Sequence, residues 1–226
     1  MSILILRLQG PLQSWGEHSM YWDLCDTQIL PTRSGIVGLI GCAMGIPRTR
    51  PADLARLSEA IHIGIRADRR GRIMSDYQIA SSPNLQTAEH GSRENGPRGR
   101  ATITCYKQYI EDGAFTVAIS AEPAILSRIA ESLQHPRWNV YLGRKGCVPS
   151  YPILDGIYAY QSVREALTSI PLVLEADSKK LLLELETGEE GKPVTRQDVP
   201  GESQYYRRTV WRSLIPLEEV SGHVPQ

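Results

Sequence analysis

The stretch LPTRSGIVGLIGCAMGIPRTRP, residues 30–51, decides the fold because it must form a helix in spite of its composition. Its glycines are Gly35, Gly38, Gly41 and Gly45. A glycine inside a helix costs about 1 kcal/mol relative to alanine. Thr32 or Ser34 can nevertheless cap the start of this helix, and Gly45 can end it. The stretch therefore predicts a helix in which the glycines have a structural or functional role that offsets their cost.

The glycines give this helix one smooth side. At 100° per residue, they fall within an arc of roughly 120°. Without Cβ atoms, that side can lie close to another backbone, and we expect it to face a sheet. The helix start adds the Arg33 guanidinium to the free N–H groups that follow Thr32, which predicts a place for a phosphate. A nucleotide phosphate loop is excluded, because no lysine follows the glycines as GxxxxGK[ST] requires.

The segments around this helix predict the other elements of the fold. They are SILILRLQ (2–9), PADLARLSEAI (51–61), IHIGIRAD (61–68), RIMSDYQIA (72–80), ATITCYKQYI (101–110), AFTVAISA (114–121) and EPAILSRIAESLQ (122–134). The turns RRG and EDG predict two hairpins. The order predicts an α+β fold on the RRM or ferredoxin-like βαββαβ plan, an antiparallel sheet with two helices on one face.

The rest of the chain predicts one insertion and a C-terminal extension. Residues 81–100 are polar, with glycines and prolines, and interrupt the βαββαβ frame. In the last part of the chain, LVLEA, LLLELE and YYRRTVWRSLI are candidate strands, and TGEEGKPVTRQDVPGES reads as a linker. We therefore expect a domain over residues 1–155 and a small β-rich extension over 156–226.

Composition restricts the location of the protein more than its function. The chain has 25 Lys and Arg residues against 25 Asp and Glu residues, which is unusual for a free-standing nucleic-acid binder. Its four cysteines lack metal-site spacing and fit reduced thiols in the cytoplasm. We see neither a signal peptide nor an apolar run long enough to span a membrane. We expect a cytoplasmic protein without a metal or a cofactor.

Five motifs carry a family resemblance. In chain order they are ILRLQGPLQSWG, LPTRSGIVGLIGCAMGI, DYQ, FTVAI and YLGRKGCVPSYPI. Together, from Ile3 to about Ile153, they resemble the fifth Cas family of the RAMP superfamily, as found in type I-E CRISPR Cascade. The resemblance implies an RRM-like domain with a β-hairpin thumb. It also implies a subunit that grips the 5′ handle of the crRNA and caps the backbone filament without cutting RNA.

The residues themselves also favour RNA binding. Between residues 66 and 107, eight Lys and Arg residues stand against four acids, so the charge is unevenly spread. Cations meet phosphates, and flat rings stack on splayed bases. The candidate RNA-binding residues are Gln13, Trp15, Arg33, Ser34, Arg93, Arg98, Arg100, Tyr141, Arg144 and Lys145. We expect one groove to gather those before residue 40 with those of the YLGRKG loop, and Arg98 and Arg100 to close over it. A second place for RNA is the arginine-rich turn over residues 66–72.

Two alternatives stay open. A metal-independent ribonuclease that processes crRNA needs a base and charge stabilisation, for which His90, Tyr106 and Lys107 are candidates. The five histidines are scattered, and none adjoins a lysine. The other alternative is an assembly adaptor whose basic residues meet acidic protein surfaces. For the RNA-binding role, we expect as partners the crRNA, the backbone filament subunit, the large subunit and, indirectly, target DNA.

Overall fold

The computed structural model describes residues 1–17, 24–82, 101–188 and 190–222. Its strands are β1 Ser2–Gln9, β2 Leu12–Gln13, β3 Leu24–Cys25, β4 His62–Arg69, β5 Arg72–Ser82, β6 Ala101–Glu111, β7 Ala114–Ser120, β8 Leu154–Ala159, β9 Lys180–Leu185, β10 Lys192–Pro200 and β11 Tyr205–Pro216. Its helices are α1 Arg33–Met44, α2 Pro51–Glu59, α3 Pro123–Gln134, α4 Val163–Ser169 and a 3-10 turn at Leu217–Glu219. The predicted α+β class is confirmed. Among these helices, none is long and apolar enough to cross a membrane.

The glycine-rich helix begins and ends as its sequence predicts. Thr32 is the N-cap, and its hydroxyl accepts a hydrogen bond from the Gly35 N–H at 3.2 Å. Gly45 ends α1 in the left-handed conformation, with φ at 72°, which side chains rarely adopt. Its N–H reaches back to the last turn of the helix. These caps fix where α1 starts and stops despite its glycines.

The main sheet has the strand order β10-β11-β9-β4-β7-β1-β8, and every neighbouring pair is antiparallel. The part β4-β7-β1-β8 has the order that a βαββαβ chain produces. Strands β9, β11 and β10 then continue the same sheet beyond β4. The division of the chain at residues 155 and 156 stays a prediction. In the sheet, that point lies inside β8, and strands from both parts are hydrogen-bonded side by side.

The two predicted hairpins are wrong in their pairing. β5 leaves the main sheet after Gly71, pairs with β6 in a second sheet together with β2 and β3, and the chain returns to the main sheet at β7. The point where the chain leaves the main sheet contacts the point where it returns. A Cβ atom on Gly71 would lie 2.2 Å from the Glu111 carbonyl oxygen. The ladder of β5 and β6 runs from Arg72↔Glu111 to Ser82↔Ala101. Most of the predicted insertion, residues 83–100, lies outside the described residues, so the thumb stays a prediction.

Alternate side chains of the strands point to two cores. On one face, residues such as Leu4 and Leu6 of β1 pack with Ile36 and Ile40 of α1. On the other face, Ile3 and Ile5 pack beneath α4. The period of two along a strand produces this division. It places α1 on the face that carries the candidate site.

Candidate functional site

A groove of about 880 Å³ runs along the exposed side of α1. Its walls come from the loop after β2, the segment after α3 and the loop between β10 and β11. We call it the α1 groove. Residues that matter for its chemistry are Ser34, Gly38, Trp138, Tyr141, Gln197 and Tyr205. Its volume is within the range of about 300–1,000 Å³ that ligand sites occupy.

Gly35 and Gly38 of α1 lie at the floor of this groove instead of facing the sheet. A Cβ atom on Gly38 would have no heavy atom within 4 Å. On either side of it, a Cβ on Gly35 would lie 2.7 Å from the Trp15 ring, and one on Gly41 would lie 2.5 Å from the Leu54 methyl group of α2. The sheet is met by the large apolar residues of α1. The expectation that all the glycines pack on the sheet is therefore wrong, because Gly38 is exposed.

The start of α1 does not offer its N–H groups to a ligand in the way predicted. The Arg33 N–H donates to Asp198 Oδ2 of β10 at 2.7 Å. The Arg33 guanidinium turns inward, where it binds Ser58 Oγ at 2.8 Å, the Ile61 carbonyl at 2.9 Å and the Glu186 carboxylate. Only 7% of Arg33 is exposed. The anion expected at this helix start is therefore Asp198 of the protein itself. The Arg33 side chain stabilises the fold.

Arg33 and Asp198 belong to a set of partly or fully buried charges that we call the charge network. Its members are Glu17, Arg33, Glu184, Glu186, Arg196, Asp198, Arg208 and Arg212. Four positive and four negative side chains balance. Arg208 Nε lies 2.7 Å from Asp198 Oδ1, and Arg212 Nε lies 2.7 Å from Glu184 Oε2. The network joins β9, β10 and β11 to the first turn of α1.

The environment of Asp198 favours its charged form. Burial alone would raise the pKa of this carboxyl group. The hydrogen bonds and charge of Arg208, the charge of Arg196 and the Arg33 N–H outweigh burial and hold the pKa below its ordinary value. Asp198 is therefore a carboxylate at neutral pH, and its negative charge balances positive charge from the arginines around it.

The structure also places Gln13 and Trp15 in the interior. The Gln13 amide donates to the Gly113 carbonyl at 2.7 Å and accepts from Trp15 Nε1 at 3.0 Å. Trp15 is 1% exposed and packs against the first turn of α1 at Gly35. The prediction of RNA contacts for both is corrected, because neither side chain presents free surface. They position the wall of the α1 groove instead.

The glycine loop lies beside this wall, as predicted. The Ser14 N–H donates to the Leu142 carbonyl at 3.1 Å, and a Cβ atom on Gly143 would overlap the Ser14 carbonyl oxygen. Arg144 is largely committed within the protein: it binds the carbonyl groups of Gln108 at 3.0 Å and Cys25 at 2.9 Å. Its guanidinium also lies 4.7 Å from the centre of the Tyr109 ring. Arg144 therefore fastens this loop to the second sheet.

The remaining candidates differ in position. Ser34 and Tyr141 are half-buried and line the α1 groove, whereas Lys145 is exposed and outside its lining. Arg93, Arg98 and Arg100 lie outside the described residues.

The arginines of the turn over residues 66–72 differ in burial. Arg66 is fully buried, and its Nη1 donates to the Ile170 carbonyl at 2.9 Å. Arg72 pairs with Glu111 at 2.8 Å. The expectation of a second place for RNA at this turn is therefore wrong for Arg66, whose side chain presents no free surface.

Sequence reasoning missed part of the groove. Trp138 is 43% exposed, and Tyr205 is 51% exposed. Both are large rings left partly in water at a concave surface, but no sequence pattern joins residue 138 to residue 205. Only the return of β10 and β11 to α1 brings them together.

Comparisons with known proteins agree with one another. The family model CRISPR-associated protein (Cas_Cas5) matches residues 3–215. The chain is 33% identical over 173 residues to the "CRISPR system Cascade subunit CasD" of Escherichia coli (strain K12), covering 74% of this chain and 75% of the relative. A "Crystal structure of Cas protein" is 33% identical, with a TM-score of 0.71 over 99% of this chain and 100% of the other. A chain of a "CRISPR RNA-guided surveillance complex" is 30% identical, with a TM-score of 0.71 over 96% and 92%.

Proposed function

Because this chain belongs to the CRISPR-associated protein (Cas5) family, we propose that it is a crRNA-binding subunit of a Cascade surveillance complex. The resemblance of its sequence motifs to that family is confirmed. In this role it grips the 5′ handle of the crRNA and caps the backbone filament in antiviral defence. Its partners are the crRNA, the backbone filament subunit and the large subunit, with target DNA reached indirectly. The complex acts in the cytoplasm.

The α1 groove is the observation that carries the RNA-binding part of the proposal. Its floor at Gly38 is open, and rings from Trp138, Tyr141 and Tyr205 line it. Single-stranded RNA is bound by such surfaces, since unpaired bases stack on aromatic side chains. The exposed Lys145 stands in the loop that borders the groove at Gly143.

We also propose that the chain does not cut RNA. Two nuclease candidates, Tyr106 and Lys107, are consecutive residues of β6 and therefore point to opposite faces of that strand. The Tyr106 ring packs beside Tyr77, with 5.1 Å between the ring centres. This arrangement does not favour joint action of the two side chains on one 2′-hydroxyl. His90, the third candidate, lies outside the described residues.

The test is a reconstituted complex with Gly38→Leu in this chain. The added side chain enters open space, so we expect normal folding and assembly but at least tenfold faster loss of crRNA. Ala124→Leu is the matched control, because it adds volume to an exposed position of another helix, α3. Cross-linking of the wild-type complex is expected to join crRNA to Tyr141, Trp138 or Tyr205.

Each competing role gives a different result. An assembly adaptor yields no cross-link between crRNA and this chain, and Gly38→Leu retains crRNA like the control. A processing ribonuclease yields cleaved precursor RNA from this chain alone. Either result overturns the proposed role.

A further inference from the structure

We infer that the α1 groove holds an unstacked nucleobase and not a run of phosphates. This inference rests on the proposed RNA-binding role and makes that role more specific. The phosphates of the same strand then run along the rim of the groove or outside it. Three features of the groove lead to this conclusion.

The first feature is the balance of charge among the described residues that line the groove. Within the described part of the chain, the charged residues that line it are Arg48 and Glu202, one of each sign. Asp198 is bound to the start of α1, and Arg33 is turned into the charge network. Phosphate binding depends on unpaired cations that replace counterions. A groove with a balanced lining and a carboxylate at its helix start is a poor phosphate channel.

The second feature is the presence of groups that suit a base. Trp138 and Tyr205 expose about half of each side chain, and a base can stack on either ring. Gln197 supplies an amide that can donate and accept, and Ser34 supplies a hydroxyl group. Such groups bind the edges of an unpaired base. The lining thus offers both stacking and hydrogen bonding without net charge.

The third feature is the floor. At Gly38 no side chain covers the backbone of α1, and a Cβ atom there would meet nothing within 4 Å. A flat ring can therefore approach the helix more closely than at any position that carries a side chain. The groove volume of about 880 Å³ leaves room for a base together with its sugar.

The experiment uses complexes assembled with crRNAs that carry one abasic residue at each handle position in turn. An abasic residue removes the base and keeps the phosphate. We expect one or two positions at which crRNA dissociates at least tenfold faster, with an unchanged dependence on salt. At those positions, the abasic residue should have little further effect in Trp138→Ala or Tyr205→Ala complexes. Tyr151→Ala is the matched control, since Tyr151 is 64% exposed and does not line the groove.

The other outcomes overturn the inference. Abasic residues that change dissociation less than twofold at every position indicate that no base is held. Equal abasic effects in wild-type and Tyr205→Ala complexes indicate that the base is held elsewhere. Loss of a partner subunit from the Trp138→Ala complex, without a change in the abasic effect, indicates a protein segment in the groove. Cross-links to Tyr141 together with abasic insensitivity would overturn base insertion and leave the proposed RNA-binding role intact.

Discussion

The start of α1 and its glycine side differ in how far their backbone is covered. At its start, the Arg33 N–H is bound by Asp198, and the Arg33 side chain is buried. Along its glycine side, the backbone at Gly38 is bare and borders an open groove. One part of the helix is closed by charges from the C-terminal strands, and the other is open at Gly38.

This difference teaches that a helix N-terminus preceded by polar residues need not be a ligand site. The partial positive charge of the helix start attracts an anion, but a carboxylate of the same chain satisfies it as well as a phosphate does. Asp198 has this role here, and it also pairs with Arg208 at 2.7 Å. The side of α1 that lacks side chains is then the surface on which we propose that a ligand binds.

We call the start of α1, together with the Asp198 carboxylate that binds it, the closed end of α1. The largest effect is expected from breaking this closed end with Asp198→Ala. This change removes one buried anion from Arg208 and Arg196 and leaves the Arg33 N–H without its acceptor. Removing one partner of a buried ion pair costs about 3–5 kcal/mol. The free energy of unfolding, measured by urea denaturation, should fall by that amount.

Glu190→Gln is the control for this change. Glu190 pairs with Arg164 at 3.0 Å but is 71% exposed, and exposed pairs contribute about 0–1 kcal/mol. If both variants unfold at the same urea concentration, the closed end of α1 does not depend on Asp198.

The charge network should also make stability depend on pH. The pKa of Asp198 is lower in the folded state than in the unfolded chain, where it is about 3.9. Its stabilising contribution is therefore complete above that value and is lost as the pH falls through the folded pKa. In urea denaturation series between neutral and acidic pH, wild type should lose more stability on acidification than Asp198→Asn. Parallel curves for the two proteins would exclude this role.

The closed end was the part that sequence patterns could not reveal. The caps of α1 and most strands followed from local residue types, because Thr32, Gly45 and alternating apolar residues act on their own neighbours. The segment KPVTRQDVP, in contrast, reads as a soluble linker and forms β10. Its polar residues Arg196 and Asp198 are buried because their partners lie on β9, β11 and α1, far away in the chain.

Alanine in place of single glycines should separate the packed and the open parts of the glycine side. In Gly35→Ala, the new Cβ atom lies 2.7 Å from the rigid, buried Trp15 ring, and overpacking of this kind costs about 1–3 kcal/mol. In Gly38→Ala the methyl group meets nothing, and the better helix propensity should stabilise the protein by about 0.8–1 kcal/mol. Thermal unfolding of the two variants should shift in opposite directions. Shifts of the same sign would mean that the two glycines share one environment.

The open side was predictable only in part. The spacing of the glycines correctly places them along one side of α1, but the expectation that a sheet faces this side is wrong at Gly38. What faces each glycine depends on Leu54 of α2 and on Trp15, which cover the positions beside Gly38. Likewise, a run of basic residues does not tell which cations are free. Arg144 is tied to Gln108 and Cys25, whereas its neighbour Lys145 is exposed.

The smallest effect on stability is expected from Lys145, which with its neighbour Arg144 repeats the contrast between an open and a closed position in the glycine loop. Lys145→Ala should change the free energy of unfolding by no more than about 0.5 kcal/mol, as exposed substitutions usually do. If Lys145 meets a phosphate at the rim of the groove, its loss should lower the salt dependence of crRNA retention by about 0.7 of a counterion. Arg144→Ala should instead cost about 1–3 kcal/mol of stability, because the carbonyl groups of Gln108 and Cys25 lose a charged donor. Denaturation and a salt series on the assembled complex check both changes. A salt slope that falls for Arg144→Ala and not for Lys145→Ala would reverse the assignment of the two residues.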